Sequence, residues 1–422
     1  MRDVSLTFID TGSPELSPLC DTRPACEVRT GALTTRRRFE LLLGLRAGVA
    51  AEEPLARALL EASPDLRVNA LDDRAAAHLL LDARLVKLAG ADGDRELLLC
   101  LDVGQALRCP RTGRVVACCA DSRTAAEAIA QRQLPPLDKA SAVLERDVRL
   151  LGSIWDVLRH RDDAIALDLA LLTRSSGAQL LHEAPEGAHL VGEHAVVAPS
   201  STAVYPTAVL DASRGPIALA ENVVVRPGAV LCGPCFVGRG STILDRALVK
   251  PNTAVGPVCK IAGEIGGTIV QGFSNKAHEG HLGDSWLGQW VNLGAGTTNS
   301  NLRNTYTPVR APASPTAQER LDTGLLFAGC VLGDFVKTAI CTRIMAGTVV
   351  GTGAMLASSQ PARGAVAPFA WITDDGRQTY ELQRFLAAAR TMQARRSVTL
   401  TQAQEALLKS LHEQLAGGRG DS

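Results

Sequence analysis

Aliphatic residues recur at every sixth position through the middle of the chain. Leu219, Val225, Leu231, Val237, Ile243, Val249, Val255 and Ile261 follow one another without a gap. A shorter run, Val191, Val197, Ala203 and Val209, precedes them. Leu287 and Leu293 open "LGQWVN" and "LGAGTT", and Leu326, Leu332, Ile344, Val350 and Leu356 follow, with Thr338 on the missing beat. A period of six fits neither a helix, which repeats at about 3.6, nor a simple strand, which repeats at about two. It predicts a parallel β-helix in which each hexapeptide forms one side of a coil. The aliphatic residue points inward, and turn residues in "RPG", "KPN" and "GRG" fill the corners. Burying one such side chain stabilises by about 1.5–3 kcal/mol. A lone coil has no inner face to bury, so the repeat makes sense only as a stack.

The flanks follow other periods. "VSLTFID" alternates like a strand, and "RELLLCLD" and "RVVACC" read as further strands. "RRFELLLGL" and "EPLARALLEA" read as helices, giving an α/β region before the prism. "QLPPLDK" breaks the chain, and "SIWDVLRHRDDAIALDLALL" is a connecting helical segment. After the prism come two amphipathic helices, "TYELQRFLAAARTMQARR" and "TQAQEALLKSLHEQL", the second opened by a Thr401/Gln404 capping box. The domains are therefore placed at 1–135 (α/β), 136–185 (helical linker), 186–372 (β-helix) and 373–422 (C-terminal helices and tail).

Composition narrows the function. The chain has 422 residues, 44 Lys plus Arg and 44 Asp plus Glu, so its formal net charge is zero. That argues against a nucleic-acid binder or a polybasic membrane binder. No apolar run is long enough to span a bilayer and the N-terminus lacks a signal-peptide pattern, so a cytoplasmic location is expected. Eleven scattered cysteines suit a reducing compartment better than a disulfide framework. "CGPC" at Cys232–Cys235 spells a redox motif, but its flanks predict strands and turns, not the helix N-terminus that would activate a thiol. The RGDS within the terminal "GGRGDS" is read as chance.

One stretch stands apart. "GFSNKAHEGHLGDSWLGQWVNLGAGT", from Gly272 to Thr297, gathers polar and aromatic residues that are scarce elsewhere. Between Ile261 and Leu287 the rhythm of six slips by two, and Glu264, Ser274, Asn275, Lys276, His278 and His281 fall in the break. A slip costs inner-face packing, so the break marks either a functional site or a loop extruded from the prism.

The string "KIAGEIGGTIVQGFSNKAHEGHLGDSWLGQWVNLGAGTTNSNLRNTY" resembles the acetyltransferase half of the bifunctional N-acetylglucosamine-1-phosphate uridyltransferase/glucosamine-1-phosphate acetyltransferases. It is most similar to a divergent bacterial branch labelled sugar nucleotidyltransferases. The resemblance continues in "GCVLGDFVKTAI" and "GTVVG", and in the N-terminal "LSPLCDTRPACEVRTGALTTRRRFE". It implies a left-handed β-helix that forms a homotrimer, behind a nucleotidyltransferase-like α/β domain; Trp286 and Trp290, four residues apart, are the candidate interface anchors, since large aromatics commonly anchor interfaces. It also implies acetyl-CoA as co-substrate and an amino sugar phosphate as acceptor. His278 matches the general base, which suits a group whose unperturbed pKa is near 6.5. Asn301 matches the residue that orients it, and the Ala295 N–H matches the oxyanion donor. Glu264, Asn275, Lys276, His281, Asn292 and Arg303 become the expected substrate-binding set.

Departures from that family qualify the acceptor. The phosphate-binding lysine two residues after the glutamate is Gly266 here, a tyrosine is His281, and another is Leu302. Lys276, Arg303 and Arg310 are either replacements for the lost phosphate contact or plain surface charge. At the N-terminus, Arg23, Arg29, Gly31, Thr34 and Arg37 form the expected nucleotide-binding set, for UTP or another nucleoside triphosphate with Mg²⁺. The carboxylate for that metal is expected near "LRVNALDD", with Asn69 in its place and Asp72 and Asp73 as substitutes. Two other readings stay open: a nucleotidyltransferase whose prism only oligomerises, and a non-catalytic trimeric scaffold.

Overall fold

The computed structural model describes residues 3–89, 93–136 and 140–416. The terminal "GGRGDS" and part of "QLPPLDK" lie outside the described residues.

Among the described residues the N-terminal region holds eight strands: β1 (Val4–Ile9), β2 (Ala47–Ala50), β3 (Ala77–Asp82), β4 (Leu85–Leu88), β5 (Gln105–Arg108), β6 (Val115–Ala120), β7 (Ala142–Glu145) and β8 (Val148–Leu150). Six of them form one sheet in the order β2-β1-β3-β6-β5-β7. β1 runs parallel to β2 and β3, while β6 is antiparallel to β3 and β5. β3 is buried along its whole length, which explains its nearly unbroken apolar run. Helix Thr35–Leu43 begins where Thr34 accepts from the Arg37 N–H and ends at Gly44, at φ +73°. The expected strand in "RELLLCLD" is instead helix Asp94–Leu99. Asp94 and Glu96 sit in its first turn, where acidic groups favour a helix N-terminus.

The repeats build a three-sided parallel β-solenoid over residues 189–373. On one face Leu219, Val237, Val255, Val270, Leu287, Leu332, Val350 and Val366 stack in register. A second carries Val225, Ile243, Ile261 and Lys276, and a third carries Leu210, Leu231, Val249, Ile265 and Leu282. These aliphatic side chains form a continuous core. The early run leaves the expected phase by one residue: Leu190, Val196, Val204 and Leu210 point inward in place of Val191, Val197, Ala203 and Val209. Val191 is exposed because its neighbour Leu190 stacks on Leu210 instead. Leu326 is exposed on the segment that interrupts the stack between Asn301 and Ala328.

The break in rhythm does not extrude a loop. The coils from Val255 to Val270 and on to Leu287 fall short of three hexapeptides, yet their strands stay paired. Short coils leave corners unfilled, and polar side chains complete them. Ser274 bonds the Gly272 and Gly288 carbonyls, and Asn299 bonds both the Gly283 N–H and its carbonyl. Cys232 and Cys235 lie in consecutive solenoid strands, and burial raises both thiols above their usual range.

Helices Leu382–Ala394 and Gln402–Ala416 pack back on the prism and on helix Leu55–Ala62. The capping box is reciprocal: Thr401 Oγ1 accepts from the Gln404 N–H at 3.2 Å, and Gln404 Oε1 from the Thr401 N–H at 3.3 Å. Both tryptophans expected to anchor a neighbouring copy are used within the chain. Trp286 is fully buried and donates to the Arg29 carbonyl at 3.1 Å, and Trp290 stacks on Phe273 with centroids 4.6 Å apart. Among the described residues, no helix is long and apolar enough to cross a membrane.

Candidate functional site

The N-terminal signature folds into a clamp on the solenoid. Arg23 pairs with Asp334 at 2.5 Å and Asp21 accepts from Thr352 at 2.7 Å. The Arg29 N–H donates to Gln271 Oε1 at 2.7 Å, and burial lowers its guanidinium to about 10. Gly31 leaves no room for a side chain, since a Cβ there would lie 2.5 Å from Asp168 Oδ2. That carboxylate holds the fully buried Arg38 at 2.6 and 2.8 Å. Thr34 caps its helix, and the exposed Arg37 pairs with Glu40 at 3.1 Å. Arg23, Arg29 and Thr34 nevertheless line one cavity of about 290 Å³, with Glu27, Arg36 and Gln271 among its walls. Gly31, packed against Asp168, and the exposed Arg37 stand outside it.

Asn69 is corrected as well. At φ +51° it holds both the N–H and the carbonyl of Ala51, each at 2.9 Å, so its amide acts as a backbone clamp. Asp72 is taken by Arg67 at 2.8 Å. Ligands of open α/β sheets bind beyond the carboxyl ends of the strands. There the structure places two acids, Asp10 after β1 and Asp82 at the end of β3, that the sequence reading passed over. The signal was an acid closing the apolar run "HLLLD". Burial raises both carboxyl groups, with Asp82 adding to the rise at Asp10. Asp10 already accepts from the Gly12 and Ala25 N–H groups at 3.0 and 2.9 Å, and Asp82 from Arg84 at 2.9 Å. Magnesium needs ionised oxygens free to ligate. Among the described residues no group of three or more candidate ligands gathers, and the oxygens of Asp10 and Asp82 are engaged by N–H groups.

On the solenoid the expected residues divide between two faces. The first holds Glu264, His281 and Asn301. Glu264 Oε1 lies 2.7 Å from Lys250 Nζ and 3.3 Å from His281 Nδ1. Lys250 comes from the preceding coil, and its stem covers Gly266, where a Cβ would meet it at 3.0 Å. A cation thus stands over Gly266, the position where the family resemblance implied a lysine. Sequence spacing hid it, because stacking brings Lys250 there across one coil. His281 Nε2 and Asn301 Nδ2 converge over Gly283, each 2.6 Å from where a Cβ would stand. Asn301 also donates to Asp284 at 2.8 Å, and Arg161 holds Asp284 at the same distance.

The second face holds Asn275 and Asn292, whose amides meet at 3.3 Å. Arg396 donates to Asn275 Oδ1 at 2.6 Å. Both asparagines line a cleft of about 690 Å³ with Lys260, Lys337, Trp290 and Arg395. The edge between the two faces carries His278, exposed in the corner after Lys276, and Ala295 in the corner of the next coil. The Ala295 carbonyl accepts from the Cys341 N–H at 2.6 Å.

Lys276 is not available to a substrate. It stacks on Ile261 at an inward position, and its Nζ donates to the carbonyls of Ala262 and His278, each at 2.9 Å. Its stem fills the short coil while its head satisfies two corner carbonyls. Burial lowers its pKa to about 8. Arg303 stands apart, on the exposed segment that interrupts the stack.

Residues 6–176 match the sugar nucleotidyl transferase family. The chain is similar to the bifunctional protein GlmU of Methanococcus aeolicus, at 27% identity over 148 residues, covering 35% of each chain. The GlmU protein of Methanococcus vannielii is 29% identical over 124 residues, covering 29% of this chain and 28% of its own. The chain thus spans about a third of the length of the curated relatives it matches. Among solved structures, a hexapeptide transferase family protein from Anaplasma phagocytophilum aligns at 14% identity, covering 56% of this chain and 97% of its own, with a TM-score of 0.20. Residues 6–176 thus resemble the sugar nucleotidyl transferase family, and the parallel β-solenoid follows them in the chain.

Proposed function

We propose that the solenoid transfers an acyl group, acetyl in the simplest case, from a coenzyme A thioester to the amine of a sugar phosphate. The observation that carries this reading is the convergence of Lys250, Glu264, His281 and Asn301 on one face, beside the edge that bears His278 and Ala295. Acylation of an amine needs a base for the ammonium proton, a donor for the tetrahedral oxyanion, and a cradle for the acceptor.

The exposed imidazole of His278 takes the proton as the amine attacks the thioester carbonyl. The Ala295 N–H faces the oxyanion that forms, a contact worth about 2.7–4 kcal/mol. Glu264 and His281 bind the sugar hydroxyls, and Lys250 meets the phosphate. Asn275 and Asn292, round the corner, belong to the same cleft once a neighbouring prism of a homotrimer closes it. The N-terminal domain binds a nucleotide weakly at the ends of β1 and β3, without magnesium-assisted transfer. The protein acts in the cytoplasm, in the supply of N-acylated amino sugars for nucleotide-sugar synthesis such as that of UDP-N-acetylglucosamine.

The test is release of free coenzyme A thiol from acetyl-CoA against a panel of amino sugar phosphates. Thiol release that depends on the acceptor amine supports the reading. An intact trimer that binds neither coenzyme A esters nor nucleotides overturns it in favour of a scaffold.

A further inference from the structure

Four arginines stand together on the segment that interrupts the stack and on a loop beside it. Arg303, Arg310 and Arg320 border a cavity of about 280 Å³. Arg303, Arg320 and Arg363 border an adjoining one of about 390 Å³, with Ser300, Asn304 and Thr305 as further polar walls. Among the described residues no carboxylate lines either cavity. Among the described residues none of the four arginines has an ion-pair partner, although the chain as a whole carries as many acids as bases.

The backbone holds these side chains in place. Arg310 and Arg320 lie on the paired strands Arg310–Pro312 and Arg320–Asp322, and Arg310 Nη2 donates to the Arg320 carbonyl at 2.8 Å. Arg303 Nη1 donates to the Pro308 carbonyl at 3.3 Å. Arg320 reaches across to the neighbouring loop, where its Nη2 lies 3.1 Å from the place of a Cβ on Gly364. Glu319 and Asp322 flank Arg320 in sequence without lining a cavity, and Asp322 is occupied by the Gly324 N–H at 2.8 Å.

Guanidinium groups stay charged at any pH the protein meets. All four are exposed, so solvent screens much of their repulsion, and among the described residues none forms an ion pair, although Asp322 stands opposite Arg310 across the strand pair. Arginine forks match phosphoryl oxygens two at a time. We propose that this paired cavity binds a diphosphate-bearing ligand, one phosphoryl group in each lobe. A single phosphate would leave one lobe and its arginines without a counter-charge. The cavities share no lining residue with the Lys250–Glu264 face, although Ser300 and Leu302 flank Asn301 in sequence, and the inference goes beyond the acyl-transfer reading without needing it.

Two sources supply such a group: the diphosphate of a coenzyme A ester and that of a nucleoside diphosphate sugar. The experiment is calorimetric titration of the full chain with inorganic pyrophosphate, then competition by coenzyme A and by a nucleoside diphosphate sugar in separate arms. The wild type is expected to bind pyrophosphate more tightly than orthophosphate, and to lose affinity as salt rises. Arg303→Ala and Arg320→Ala are each expected to weaken binding by about tenfold or more. Arg320→Lys should weaken it nearly as much, because lysine lacks the fork. Arg123→Ala, on the far domain, should leave it unchanged. The competing arm identifies the source.

The proposal fails if the wild type takes up no pyrophosphate, or if the folded arginine variants bind it as the wild type does. A change of oligomeric state in those variants, with pyrophosphate affinity intact, would assign the arginines to contacts with a second copy and overturn it equally. Because the readout is binding, a failed acyl-transfer assay leaves this result standing.

Discussion

Lys250 Nζ and Glu264 Oε1 lie 2.7 Å apart, and the lysine stem crosses the bare backbone of Gly266. The two residues belong to successive coils, so their meeting is a product of stacking. Lys250 and Glu264 are each partly exposed, at 49% and 37%, so the pair adds little to stability. Its expected role is to present a cation to a phosphorylated acceptor. Lys250→Ala should raise KM for the acceptor about tenfold while kcat and the unfolding temperature hardly move. Steady-state kinetics with a thermal melt checks both.

Gly283→Ala tests the convergence of His281 and Asn301. The added methyl would stand 2.6 Å from both side-chain nitrogens, so both must move aside. Misplacement of this order costs about a hundredfold in turnover when a group is held for catalysis. The expectation is a large loss of acyl transfer with a normal circular dichroism spectrum. Equal loss of coenzyme A ester binding would show instead that the coil had collapsed.

Lys276 gives a pH dependence with a definite sign. Its ordinary pKa of 10.5 is lowered to about 8 by burial, so between those values the unfolded chain binds more protons than the folded one. Stability against urea should therefore rise with pH across that window. Lys276→Met, which keeps the stem and removes the charge, should flatten the rise. An unchanged slope would place the charge elsewhere.

Much of this arrangement was legible in the sequence, for a physical reason. A solenoid repeats one local contact, so the positions of Leu231 and Val249 announce their stacking. The capping box at Thr401 is equally local. What stayed hidden depends on contacts distant in sequence. Lys276 reads as a surface cation until its register with Ile261 turns it inward. Arg29 reads as a phosphate ligand until its buried guanidinium turns to the carbonyls of Ala32 and of Gln271, far along the chain. Asp82 was overlooked because only the sheet order sets the end of β3 beside the end of β1.

Asp168 and Arg38 form a fully buried pair that ties the helix before the prism to the N-terminal domain. Asp168→Ala leaves the guanidinium uncompensated and should cost about 3–5 kcal/mol. Replacing both partners with apolar residues of similar volume should recover much of that loss. Denaturant unfolding of the single and double variants makes the comparison.

The N-terminal acids lead to an expectation about turnover. With Asp10 and Asp82 both raised by burial and their oxygens engaged by N–H groups, magnesium should not promote nucleotidyl transfer. Pyrophosphate release from a nucleoside triphosphate and a sugar 1-phosphate should stay at background with or without the metal. Robust magnesium-dependent release would mean that the two acids open to ligate it.

The most direct test is the rate of acyl transfer by His278→Ala. General-base assistance contributes about 10²–10⁴-fold. Turnover of the variant should fall by about that factor, while coenzyme A ester affinity and assembly stay as in the wild type. A variant that acylates at the wild-type rate would contradict the account, because His278 would then be only an exposed corner of the prism.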